Sequence, residues 1–241
     1  MEARSLTEKD FWEKYWLHFK TFDVEKNIPF ERILNLFPKG NKSFIEVGGF
    51  PGTFSIYFKK NFNYEITLLD YLVKPEVVHA MEVANGLSKK TVKILEADFL
   101  DFVSQIKYDV VFSWGFIEHF KDTALILKKH ANLLQMDGTM IVGLPNFLGL
   151  NGLVQKLFDP KNLSTHYLPS MEFKNLENIL AGLNLTNCRV FYCGRPCLWL
   201  ETTAMLNPFI RLGVKVISKL ISFLPFSGKL WSPYIVIYAT K

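Results

Sequence analysis

Short runs of aliphatic and β-branched residues recur along the chain, each followed by apolar positions spaced three and four apart. The runs at 43–47, 65–70, 92–97, 108–114 and 138–144 are apolar enough to be buried on both faces, as parallel strands are. Amphipathic helices are expected over 51–61, 74–85 and 116–135, the second stopping at Gly86, a residue suited to the left-handed end of a helix. This alternation predicts βαβ units and a doubly wound α/β sheet. After the fifth strand the pattern loosens. Residues 145–169 are rich in Asn, Gly and Leu and read as a long connection, of the kind that is functional or partly helical. A helix over 171–182 and strands at 188–193 and 234–239 follow. An insertion over 195–232 separates those two strands.

Two amphipathic segments stand outside this alternation. Phe11, Trp12, Tyr15, Trp16 and Phe19 recur at helical spacing within residues 1–38. Such a stripe either packs on the domain or forms a helical lid over a ligand. Within the late insertion, a helix over 208–224 sets a polar stripe (Arg211, Lys215, Ser218, Lys219, Ser222) against a wide apolar face that includes Phe209, Val214, Leu220 and Phe223. It either caps the domain or a second subunit, or lies on a membrane surface.

Composition narrows the class. With 241 residues, 49% of them hydrophobic, the chain can bury one sizeable core, so 1–241 is read as one domain with substrate-side insertions at 146–170 and 195–232. The formal net charge of +5 is mild and the basic residues are scattered in short pairs, so no nucleic-acid partner is expected. Cys188, Cys193 and Cys197 lack metal-ligand spacing and have no histidine near them in sequence, so no metal site is expected and the thiols fit a reducing compartment. Residues 1–5 lead into a charged, aromatic stretch without a signal-peptide core. The most apolar run, 206–226, is broken by Arg211, Lys215 and Lys219. The expected location is the cytoplasm.

The candidate chemistry lies at the ends of four consecutive strands. The first strand ends in Glu46-Val47-Gly48-Gly49-Phe50-Pro51-Gly52, an acid and a glycine-rich turn before a helix start. Glycines there allow positive φ and close approach of a ligand, and the helix N-terminus favours a charged group. Asp70 ends the second strand, where a carboxylate can accept hydrogen bonds from both hydroxyls of a ribose. Asp98 ends the third and can accept from an adenine amino group, with Phe99 as an apolar ring contact. Either acid also suits a helix N-cap. The fourth strand runs into Ser113-Trp114-Gly115-Phe116-Ile117-Glu118-His119-Phe120. In open α/β sheets this carboxyl edge is where ligands bind.

In these features the chain resembles the class I S-adenosylmethionine (SAM)-dependent methyltransferases, well over about residues 40–145 and in outline beyond. The resemblance implies a Rossmann-like, mainly parallel seven-stranded sheet with the last strand antiparallel. It implies SAM as cofactor. The amino-acid half would lie on Glu46, Gly48, Gly49 and Gly52, the ribose on Asp70 beside Tyr71, the adenine on Asp98 and Phe99, and the methionine and sulfonium near Ser113, Trp114 and Gly115. Phe50 stands where the family's alternating pattern has its middle glycine. The expected reaction is methyl transfer to a small acceptor, apolar or ring-bearing because the N-terminal stripe, the 145–169 connection and the late insertion are apolar and aromatic. O-, C- and N-methylation remain open. No Asn-Pro-Pro-Tyr sequence follows the fourth strand, which argues against nucleic-acid bases and glutamine as acceptors. If a proton must leave, the candidate bases are His119, His166 and Tyr167. A nicotinamide oxidoreductase is disfavoured by the glycine spacing. The competing non-enzymatic reading is a degenerate methyltransferase fold serving as a scaffold or membrane adaptor.

Overall fold

The computed structural model describes residues 5–17, 19–201 and 207–241. Residues 1–4 of the N-terminal segment and 202–206 of the late insertion lie outside the described residues. Strands β1 (Ser43–Val47), β2 (Glu65–Asp70), β3 (Lys93–Glu96), β4 (Tyr108–Trp114), β5 (Leu134–Pro145), β6 (Thr186–Cys193) and β7 (Tyr234–Thr240) form one sheet in the order β3-β2-β1-β4-β5-β7-β6. All pairs are parallel except those of β7, which runs antiparallel to both neighbours. The chain therefore reverses strand order between β1 and β4, and the crevice above that switch point is where such sheets bind ligands.

Helices α1 (Lys9–Tyr15), α2 (Thr53–Phe62), α3 (Pro75–Ala84), α4 (Thr123–Leu133), α5 (Leu150–Phe158), α6 (Pro160–Leu163), α7 (Phe173–Ala181) and α8 (Pro208–Ile221) accompany the sheet. The core lies in two layers. On one face, Ile45, Val47, Val111 and Met140 pack under Ile126 and Leu127 of α4 and Leu176 and Leu180 of α7. On the other, Phe44, Leu68 and Phe112 pack under Ile56 and Phe58 of α2 and Val78 and Met81 of α3. The second layer is aromatic: Phe58 lies 4.4 Å from Phe37 and 4.9 Å from Phe44, and Phe112 lies 5.5 Å from Phe30, between ring centroids.

Three elements differ from the sequence pattern. The helix expected over 116–135 is a single 3-10 turn, Ile117–His119, followed by α4. Phe120 between them is extended and bridges to Ser5, and Asp122 caps α4 by accepting from the Leu125 amide at 2.9 Å. The fifth strand starts four residues early, at Leu134. Asp137 (φ +60) and Gly138 make an irregularity there, where a Cβ on Gly138 would lie 2.9 Å from the Gln135 carbonyl. The 145–169 connection contains α5 and α6, each too short for its periodicity to stand out.

Helix α8 is turned contrary to the usual arrangement. Val214 is its only buried residue; Ser218 Oγ accepts from the Leu198 amide at 2.9 Å, and the Arg211 guanidinium donates to the Glu201 carbonyl. Part of the polar stripe thus faces the domain. Phe209 (81% exposed), Leu212, Val216, Ile217 and Leu220 face outward.

Phe112 is fully buried at the centre of the aromatic layer. Phe112→Ala is expected to lower unfolding free energy by about 3–5 kcal/mol, the range for deleting a buried phenyl ring, as measured by urea denaturation followed by circular dichroism.

Candidate active site

The cleft begins at the turn between β1 and α2. Glu46 Oε2 accepts from the Ser55 amide (2.8 Å) and from Ser55 Oγ (2.5 Å), which ties the strand end to the first turn of α2. Burial pushes the Glu46 carboxyl up to about 8, although the Ser55 bonds pull it down. Gly49 passes directly over this side chain: a Cβ there would come 2.4 Å from Glu46 Cδ. Gly48 has φ +68, and a Cβ on it would come 2.1 Å from the Phe116 ring. The close approach and the positive φ explain both glycines. Phe50 does not obstruct the turn. Its ring lies against Trp16, 5.5 Å between centroids, and its amide donates to Asp70 Oδ2 at 3.0 Å.

Asp70 accepts a second amide, that of Leu72, on Oδ1 at 3.1 Å. Each oxygen keeps a lone pair for a further donor. Burial raises the Asp70 carboxyl to about 6 against the lowering effect of these amides. The Tyr71 hydroxyl is buried without a hydrogen-bond partner among the described residues. Asp98 is exposed and lines the cleft; it closes a turn by accepting from the Leu100 amide at 2.8 Å, and no helix follows it, so it is not a helix N-cap. Phe99 is buried beside it, edge-on to Phe116.

These residues line a compartment of about 740 Å³, open solvent at its mouth included. Its outer wall is the N-terminal arm, with Ser5, Thr7, Trp12 and Trp16 in the lining. The arm is fastened at the post-β4 turn, where the Leu6 amide donates to the His119 carbonyl at 2.6 Å. A second compartment of about 1130 Å³, measured likewise, holds Glu46, Gly49, Trp114, Glu118 and His166, with Phe147 and Trp199 from the two insertions. The compartments meet at Trp12, Trp16, Gly48, Phe50, Gly115 and His119.

His119 is buried at that junction. Its Nδ1–H donates to the Thr165 carbonyl at 2.9 Å, Trp12 stands edge-on to it, and the His166 ring lies 4.8 Å away. Burial, helped by His166, drives its pKa down to about 3, so the ring is neutral. Burial also lowers His166. Glu118, 1% exposed, is pushed up to about 8 by burial, and its Oε2 has no hydrogen-bond partner among the described residues.

Three candidates fall outside the two linings. Ser113 is wholly buried and donates to Nε2 of His130, whose Nδ1–H is spent on the Ile126 carbonyl. Gly52 (φ +94) starts α2 beneath the turn. Tyr167 contributes its backbone: its amide donates to the Glu118 carbonyl at 2.7 Å. Conversely, Glu118, Phe147, Trp199, Glu201 and Tyr234 join the second lining without having been singled out from sequence. Glu118 was in plain view beside His119. The others come from segments whose folding back no local pattern encodes.

The donor set fits SAM. The first compartment has a carboxylate with spare lone pairs, an unpartnered hydroxyl and an apolar ring wall, and the second brings Glu46 and two close-approach glycines to its near end. Residues 23–190 match a family model described as a methyltransferase domain, and the chain belongs to that family. Its fold is that of the class I enzymes that use SAM as cofactor. A SAM-dependent methyltransferase from Archaeoglobus fulgidus is 19% identical, with 97% of this chain and 100% of that one covered and a TM-score of 0.59. Phosphoethanolamine N-methyltransferase 2 from Haemonchus contortus, with phosphomonomethylethanolamine and S-adenosylhomocysteine bound, is 15% identical, with 95% and 56% covered and a TM-score of 0.63. A possible histamine N-methyltransferase from Thermotoga maritima is 15% identical, with 96% and 95% covered and a TM-score of 0.54. No curated protein sequence matches the chain.

Asp70→Ala is expected to weaken S-adenosylhomocysteine by about 1.5–3 kcal/mol, the worth of hydrogen bonds to a charged group, in calorimetric titration. If Asp70 accepts from a ribose, its pKa of about 6 sets a pH dependence: above it the carboxylate is ionised and free to accept, and below it the proton competes. Affinity of the unsubstituted protein should fall as pH drops through about 6, and the Ala variant should lose that step.

Proposed function

We propose that the protein transfers a methyl group from SAM to a small, ring-bearing acceptor held in the second compartment. The observation that carries this reading is the meeting of two compartments at Trp12, Trp16, Gly48, Phe50, Gly115 and His119, one lined by Asp70, Tyr71, Asp98 and Phe99 and one lined by aromatic rings. Asp70, Tyr71, Asp98 and Phe99 would hold the adenosine, and Glu46, Gly48, Gly49, Trp114 and Gly115 the methionine end. SAM, when bound, supplies an electrophilic methyl on a sulfonium that leaves as a neutral thioether. The rings of Trp12, Trp16, Phe147 and Trp199 orient an acceptor ring by stacking and edge contacts. Holding it in line with the junction is the main contribution, and alignment of this kind is worth on the order of 7–11 kcal/mol. The same walls exclude water, which strengthens electrostatic contacts inside. His119, neutral and buried at the junction, is the group placed to accept a proton on Nε2 from an acceptor that carries one, so long as no cation occupies that lone pair.

The test is methyl transfer from radiolabelled SAM to a panel of small phenols, aryl amines and aliphatic controls, run beside titration with S-adenosylhomocysteine. Turnover restricted to ring compounds, with Trp199→Ala raising KM roughly tenfold and leaving S-adenosylhomocysteine affinity unchanged, is the expected result. Preference for aliphatic acceptors would remove the ring assignment, and absence of S-adenosylhomocysteine binding would remove the site.

We also propose that α8 rests on an anionic bilayer. No helix among the described residues is long and apolar enough to cross a membrane. Phe209, Leu212, Val216, Ile217, Leu220 and Phe223 are each at least half exposed on one surface. From residue 202 to 240 the sequence has Arg211, Lys215, Lys219 and Lys229 and no Asp or Glu. An outward apolar face flanked only by positive charge is the chemistry of an interfacial helix. The protein should co-sediment with phosphatidylserine-containing vesicles and not with pure phosphatidylcholine, and the double substitution Phe209→Glu, Leu220→Glu should abolish this without changing S-adenosylhomocysteine affinity. If the substitutions instead dissolve a dimer seen by sedimentation velocity, and vesicles are ignored, a second copy covers the face.

A further inference from the structure

We propose that Glu118, His119 and His166 form a binding site for a divalent cation of the zinc class. One ligand atom from each of the three lies within 4.8 Å of the others, and Glu118 and His119 are buried. Zinc ligands about 2.0–2.2 Å from the ion stand roughly 3.3 Å apart, so the set has to draw in by no more than about 1.5 Å to close on an ion. Two imidazole nitrogens and one carboxylate oxygen are the donors of a three-ligand site that keeps a further position open.

The hydrogen bonds around the cluster orient it for that role. His119 donates its Nδ1–H to the Thr165 carbonyl at 2.9 Å, and His166 donates its Nδ1–H to the Asn162 carbonyl at 2.8 Å. Each bond fixes the tautomer and leaves the Nε2 lone pair as the ligand position, the outer-shell arrangement metal-binding histidines use. The Tyr167 amide on the Glu118 carbonyl, together with the Thr165 bond, fastens the two chain segments to each other around the cluster. Glu118 Oε2, by contrast, is buried with no partner among the described residues, and no hydrogen bond joins Glu118 to either ring. A proton relay would show such a bond. The buried Glu118 carboxyl lies within 4.8 Å of two imidazole lone pairs, and a cation that displaces its proton would give all three groups a shared partner.

All three residues line the aromatic compartment, so the open position faces the space assigned above to the acceptor, where a lone-pair atom of that molecule would complete the coordination. The placement beside an acceptor rests on the proposed function; binding of the cation does not.

The test uses the full chain, stripped with chelator and titrated with Co²⁺ under visible absorption, then with Zn²⁺ in competition. Expected are one equivalent of Co²⁺ with the intense ligand-field bands of a four-coordinate site, and displacement by Zn²⁺. Glu118→Gln, which keeps the side chain's size, and His166→Ala should each weaken Co²⁺ at least tenfold. S-adenosylhomocysteine affinity, measured on the same preparations, should stay within twofold in His166→Ala, which reports that the fold is intact. Absence of Co²⁺ binding in protein that binds S-adenosylhomocysteine would overturn the cation site and leave the methyltransferase reading standing. A near-ultraviolet thiolate-to-cobalt band would place the ion on a cysteine, and affinity unchanged in both variants would place it away from this cluster; either result would overturn the proposal.

Discussion

A buried carboxylate holds the turn on which the cleft is built. Glu46 takes two hydrogen bonds from Ser55, and in doing so fixes the distance between the end of β1 and the start of α2. With that distance fixed, the intervening residues have one path, over the Glu46 side chain at Gly49 and under the Phe116 ring at Gly48. The path delivers the Phe50 amide to Asp70 and the Phe50 ring to Trp16. Thus one buried acid connects the sheet, the carboxylate after β2 and the N-terminal aromatics. A buried carboxyl group is costly unless its oxygens are satisfied, and Ser55 satisfies one of them.

The parallel sheet was legible because its strands are sandwiched between helices and read as unbroken apolar runs. β1, β2 and β4 coincide with their sequence boundaries for that reason, and Asp70 and Asp98 were found because topology puts the ends of parallel strands at one edge. Legibility failed where a few residues act against their surroundings. Phe120 sits in an otherwise helical pattern yet is extended, because pairing with Ser5 and burial outweigh its local preference, and Lys121-Asp122-Thr123 carried a capping signal that the apolar periodicity masked. Ser113 belongs to a motif that lines the cleft in part, at Trp114 and Gly115, but on a strand alternate residues point to opposite faces, and Ser113 points into the core toward His130.

The second compartment was harder to read, since its walls come from six separated stretches: the N-terminal segment, the turn after β1, the end of β4, the 145–169 connection, the late insertion and the start of β7. The aromatic residues of the N-terminal segment, the 145–169 connection and the late insertion were visible as composition, and their convergence is a tertiary fact. The pairing of His119 with His166 shows the same limit: the two are joined by a backbone carbonyl of Thr165, whose position no side-chain pattern reports. The orientation of α8 was equally hidden. A helical stripe defines which residues share a face but not which face turns inward, and here Ser218 and Arg211 hold the domain while the broader apolar side remains outside.

The N-terminal arm gives the first compartment a thermodynamic property that its floor alone would lack. Ser5, Thr7, Trp12 and Trp16 form one wall, and the strand ends form the other. A molecule touching both walls couples them, and coupling of this kind is reciprocal. Whatever free energy the docked arm adds to the grip on that molecule, the molecule returns to the docking of the arm. Protection of residues 5–17 from proteolysis therefore becomes a measure of occupancy, and any change that loosens the arm from the His119 carbonyl is felt as weaker binding of whatever lies beneath it.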